Sequence, residues 1–164
     1  MSDDAIQKKI TLKAPRERVW QAISDSARFG RWFGAEIDDP FVAGKEAAGR
    51  LVPTRFDPDV ARLQEPYRGL PWRVVVERIE PMDLFSFRWH PGAVDPGHNY
   101  SNEHMTLVTF ELSEVDEGIL LTVTESGFES LPLDQRAKTR EGNAEGWAHQ
   151  VRLIERYLAE EERA

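Results

Sequence analysis

The chain has 164 residues, 40% of them hydrophobic and 30% charged, with a net charge of −8 and a pI near 5.1. That length and balance fit a single globular domain over residues 1–164, long enough to bury its own core. The acidity argues against nucleic acid and anionic membrane surfaces as partners. The absence of cysteine excludes disulfides, thiolate metal sites and a cysteine nucleophile.

Taken in chain order, residues 5–13 (AIQKKITLK) alternate imperfectly and read as a first strand. MSDDAIQKKI carries two acids where a signal peptide would be basic, and no apolar run approaches the ~20 residues that span a bilayer. The expected setting is therefore the cytoplasm, without membrane insertion. Ala14-Pro15 ends the strand, and Pro15 suits a helix start, with Glu17 near the positive end of the helix dipole. Val19, Trp20 and Ile23 form an apolar stripe in a helix ending near Ser24. Asp25 and Ser26 offer a cap for a second short helix through about Trp32.

Residues 34–38 and 47–52 read as short strands around a turn. Residues 53–71 are rich in proline and charge and read as a long loop with room for one helical turn. Strands follow at 72–80 and 83–90, then a turn-rich loop at 91–103. Two more strands, at 104–112 and 119–126, flank the hairpin turn Asp116-Glu117-Gly118. From about Asp134 to Glu162 the chain reads as one helix, with Asp134 as candidate cap and Trp147, Val151, Ile154 and Leu158 on one stripe. Gly142 and Gly146 lie within it, which implies a bend or a close approach.

The order is one strand, two short helices, about six antiparallel strands and one long helix. Three segments, APRERVWQAISDSARFGRWFGAE (14–36), RIEPMDLFSFRW (78–89) and LTVTESGFESLP with Gly146-Trp147, resemble the START-like (SRPBCC, birch-pollen-allergen-like) superfamily. Within it the resemblance is to the branch named for the C-terminal domain of the activator of the heat-shock ATPase. It implies an α+β helix-grip fold, a curved antiparallel sheet of six to seven strands wrapped around the C-terminal helix. It implies little about function, because members share a fold far more than an activity.

A bent sheet closed by one helix leaves a hollow. Phe85, Phe87 and Trp89 face it from one strand, Phe110 and Val123 from the last two, and Trp147 and Val151 from the helix. Trp72, at the start of its strand, joins this lining. Trp32 and Phe33 either gate the mouth or dock their helix. Each such ring also makes sense as core, since burying it removes ~150–250 Å² from water. Glu125 is the sharpest residue, because alternation places a carboxylate on the inward face with Leu121 and Val123. It orients a polar ligand group, acts as an acid/base, pairs with an arginine such as Arg73, Arg78 or Arg88, or lies at the wet rim. His90, His98, His104, Asp95 and Glu103 crowd the 91–103 region without metal-ligand spacing, so no metal and no cofactor are expected. His149 is expected at the solvent face of the long helix. No nucleophile elbow, phosphate-binding loop, dinucleotide fingerprint or H-E-x-x-H motif is present.

The expectation is a non-catalytic carrier, monomer or homodimer, of a small apolar ligand such as a lipid, polyketide or aromatic metabolite. Glu125, aided by Tyr67 or Tyr100, would orient the ligand. The alternatives are a cyclase or proton-transfer enzyme with Glu125 as acid/base, and a stress-linked partner of a chaperone.

Overall fold

The computed structural model describes residues 5–91 and 104–163. Strand β1 (Ile6–Leu12) leads into helices α1 (Arg16–Ser24) and α2 (Ser26–Phe33). Asp25 caps α2 by accepting a hydrogen bond from the Arg28 N–H. Gly34 ends α2 in the left-handed conformation, φ 101°, with its N–H bonded to the Gly30 carbonyl. Then come β2 (Ala35–Ile37), β3 (Glu46–Leu51), α3 (Pro58–Gln64) and a 3-10 turn at Glu65–Tyr67. Strands β4 (Pro71–Glu80), β5 (Leu84–Trp89), β6 (Thr106–Val115) and β7 (Gly118–Ser126) follow, and α4 (Leu133–Arg163) closes the chain.

The seven strands form one antiparallel sheet in the order β1-β7-β6-β5-β4-β3-β2. Two features let it curve. A register shift between Val76 and Arg78 inserts a bulge between β4 and β5. At Gly49 a side chain is impossible, because a Cβ would lie 1.9 Å from the Glu36 carbonyl oxygen of β2. The concave face receives α4 through Trp147, Val151, Ile154 and Leu158, all buried. It receives α2 through Phe29, Trp32 and Phe33.

Three details depart from the sequence reading. The 53–71 stretch contains a two-turn helix, α3, capped by Asp57 through the N–H groups of Asp59 and Val60, with Pro58 at its first position. Only Val60 of α3 is buried, so the sequence carries no apolar period to announce it. Asp134 lies within the first turn of α4 and not before it. Gly142 and Gly146 have open space where a Cβ would stand, so no close approach requires them.

The C-terminal carbonyl of α2 is a junction. Phe33 O accepts from Gln64 Nε2 of α3 at 3.2 Å and from Gln150 Nε2 of α4 at 3.1 Å. Gln64 Oε1 in turn accepts the Thr54 N–H at 2.7 Å. Phe56, just before α3, stacks edge-on against Tyr157 of α4, with ring centroids 5.5 Å apart.

Candidate functional site

Alternation along β7 puts Ile119, Leu121, Val123 and Glu125 on the concave face, and Glu125 is wholly buried. Its neighbours in register are Val108 on β6 and Ile6 on β1. Four side chains aim donors at its carboxylate. Trp89, the last residue of β5, donates from Nε1 to Oε2 at 2.9 Å. Thr106, which pairs with Trp89 in the β5–β6 register, donates from Oγ1 to Oε2 at 2.5 Å. Asn143 Nδ2 donates to both oxygens, at 2.9 and 3.1 Å. Trp147, one helical turn further along α4 and so on the same face, donates from Nε1 to Oε1 at 2.8 Å.

Among the described residues no cation pairs with this carboxylate. Arg73, Arg78 and Arg88 form ion pairs with Glu46, Glu80 and Glu77 instead. These arginines alternate with the inward residues of β4 and β5, so their side chains project from the other face of the sheet. Hydrogen bonds to a charged group contribute roughly 1.5–3 kcal/mol each. Four of them are of the size needed to offset a desolvation penalty of several kcal/mol for a buried ion.

Rings surround the carboxylate. Trp89 and Trp147 stack at 5.8 Å with 30° between their planes. Phe33 lies 6.1 Å from Trp89 and 6.2 Å from Trp147, and Phe87 lies 5.3 Å from Trp89. Deeper in, the expected hollow is occupied by the protein's own side chains. Phe29 of α2 reaches the middle of the concave face and touches Trp72, Phe85, Phe87 and Phe110. Trp32 is locked by its Nε1–H to the Ala22 carbonyl at 2.8 Å, so it docks α2 on α1. What remains between sheet and α4 is a narrow crevice with no room for a water molecule. It is lined by Trp32, Phe110, Leu121, Val123, Trp147 and Val151, with Gln150 and Ile154 at one side. Gln150 Oε1 is buried without a hydrogen-bond partner among the described residues, as is Trp72 Nε1.

A larger concavity, about 390 Å³, lies between α2 and β2–β3 at the end of the sheet. Its charged lining is an exposed network in which Arg50 bridges Asp38 and Glu36. Bonds first to Asp38 and then to Glu36 raise the Arg50 pKa above its ordinary value. Arg31 and Arg55 also line it, and it holds none of the candidate site residues.

The structure thus unites Trp89, Glu125 and Trp147 at one point and sets Phe33 and Phe87 beside them. Trp32, Phe110, Val123 and Val151 line the crevice, whereas Trp72 and Phe85 lie further off around Phe29. Tyr67 is exposed in its 3-10 turn. His98, Asp95, Glu103 and Tyr100 fall outside the described residues, and no metal-binding group occurs among the described ones. His149 is half-buried, close enough to Asp57 for their charges to interact. Sequence reading missed Thr106 and Asn143. Both carry a periodic signal: Thr106 is two residues before inward Val108, and Asn143 is four before Trp147.

A curved antiparallel sheet gripping a long C-terminal helix, with two short helices after the first strand, is the START-like helix-grip class of α+β protein. Residues 13–159 match the model of the family described as activator of Hsp90 ATPase homolog 1-like protein, and the chain belongs to that family. No curated protein matches the sequence significantly. Among solved structures it is similar to a protein from Arthrobacter aurescens, with 19% identity, a TM-score of 0.71, and coverage of 98% of this chain and 90% of that one. It is also similar to the Aha1 dimer of Colwellia psychrerythraea, with 17% identity, a TM-score of 0.61, and coverage of 94% and 95%. DynU16, a protein of the dynemicin biosynthetic locus, matches at 24% identity with a TM-score of 0.66 over 96% of this chain. This chain spans about half of DynU16, 48% of its length. Such distant likenesses establish the shared fold. No helix among the described residues is long and apolar enough to cross a membrane.

Proposed function

We propose that this protein is a non-catalytic carrier that admits a small, largely apolar molecule between its sheet and α4. The observation that carries the reading is Glu125. A carboxylate wholly buried among rings, held by neutral donors and by no cation among the described residues, is a costly way to join a sheet to a helix and suits a group that a ligand can also use. The family commonly binds hydrophobic ligands, which supports the reading.

Entry requires movement, because the crevice is closed. The movable side is α4 before Trp147. Leu133 is 79% exposed, and Gly142 and Gly146, whose Cα positions face open space, weaken the helix on either side of Asn143. Displacing Asn143 outward would join the crevice to solvent and uncover the carboxylate. Apolar walls would then supply affinity and Glu125 orientation. The same opening would have to precede any acid/base chemistry at Glu125, since both its oxygens are occupied by donors.

Ligand-observed NMR against a panel of fatty acids, aromatic polyketides, amines and phenols tests the reading, with Val151→Trp as a crevice-filling control. Saturable binding by a panel member, lost in the variant, is expected. A panel with no saturable binder overturns it.

A further inference from the structure

Resting on the carrier reading, the geometry points to a ligand class: we infer that the site takes an apolar molecule carrying a protonated amine. Around Trp147 the described residues offer a newcomer mainly acceptors, with one orphaned donor, Trp72 Nε1, further off beside Phe33 and Phe87. Glu125 supplies two carboxylate oxygens and, among the described residues, has no compensating cation. Gln150 Oε1, beside Trp147 in the crevice wall, is a buried acceptor without a partner among the described residues. The faces of Trp89, Trp147, Phe33 and Phe87 carry the partial negative charge that attracts cations.

The donors holding Glu125 divide into two kinds. Thr106 and Trp147 are buried, whereas Trp89 and Asn143 are partly exposed. Asn143, which donates to both oxygens and packs no ring, can leave to solvent, while Trp89 stays in the ring wall. An ammonium group arriving in its place offers three N–H donors to the oxygens it vacates. A carboxylic acid arriving there would set two carboxylates together in a poorly solvated site, which disfavours fatty acids. A neutral alcohol satisfies at most one acceptor and gains nothing from the ring faces. The chain's net charge of −8 acts in the same direction by drawing cations toward it.

Three probes of one body and different heads test this: 2-phenylethylammonium, 2-phenylethanol and 3-phenylpropanoate, titrated at neutral pH by ligand-observed NMR. The ammonium is expected to bind about tenfold or more tighter than the alcohol, and the carboxylate weakest. Glu125→Gln is expected to erase the ammonium's advantage while leaving alcohol binding in place. Asn143→Ala, which removes a competing donor without touching the acceptor, is expected to raise ammonium affinity a few-fold. That variant decides the matter if Glu125→Gln does not fold. Saturable binding without preference for the ammonium, or ammonium affinity unchanged in Asn143→Ala, overturns the amine inference and leaves the carrier reading intact. Absence of saturable binding by all three overturns both.

Discussion

At the scale of single residues, Glu125 shows how neutral donors can replace a salt bridge. Each donor comes from a different position, so the carboxylate ties the ends of β5, β6 and β7 to α4. Trp147→Phe keeps the ring and removes one N–H. We expect a loss of roughly 1–3 kcal/mol of stability, measured by urea unfolding. Asp57 offers a cleaner electrostatic test. Burial pushes its carboxyl pKa up, but the backbone N–H groups of Val60 and Asp59, with Arg156 and His149, outweigh that and hold it low. The folded value therefore lies below the ordinary 3.8. The stabilisation it contributes is complete above about 3.8 and disappears as pH falls through the folded value. The Tm gap between wild type and Asp57→Asn is expected to narrow over that acid range; a gap constant with pH would refute the assignment. Glu125's burial was legible in the sequence, because alternation along LTVTES fixes its face. Its partners were harder to read. Asn143 and Thr106 are polar residues on apolar stripes, and periodicity alone does not tell a lone polar residue that meets a partner from one that reaches solvent.

At the scale of elements, strands and long helices were readable because each presents one face to the core. Capping by Asp25 and the hairpin at Asp116-Glu117 have local chemical causes, and both stand as read. The α3 helix escaped because its cap and proline sit in a stretch with a single buried side chain. Of the two readings of the α4 glycines, a bend or a close approach, the second fails because nothing lies where a Cβ would stand. Gly142→Ala and Gly146→Ala should each stabilise the protein by up to about 1 kcal/mol. If α4 opens there to admit ligand, the same changes should slow association in stopped-flow tryptophan fluorescence. Gly49→Ala is expected to act in the opposite sense, since its new methyl would collide with the β2 backbone.

At the scale of the whole molecule, the concave face is one continuous ring cluster with Phe29 near its middle. The sequence showed many aromatics and suggested a hollow. How far a short helix reaches into a curved sheet depends on sheet curvature, which no local pattern encodes. Phe29 lies three residues before Trp32 and carries no mark to distinguish a plug from a lining residue. Phe29→Ala should cost roughly 3–5 kcal/mol and leave one cooperative unfolding transition, checked by differential scanning calorimetry. The cavity it creates would also be a sensitive detector of ligand, raising affinity for small aromatics if carrier and plug compete for one space.

The carboxylate and its donors are far apart in the order of synthesis. Glu125 is laid down on the β6–β7 hairpin, whose two-residue turn and nine-pair register close quickly from local contacts. Asn143 and Trp147 arrive only with the last helix. A nascent chain therefore passes through a stage in which the hairpin exists and residue 125 is still hydrated. Dehydrating it belongs to the final docking step. Glu125→Gln should accordingly change the unfolding rate far more than the refolding rate, and the arms of a chevron plot would display that asymmetry.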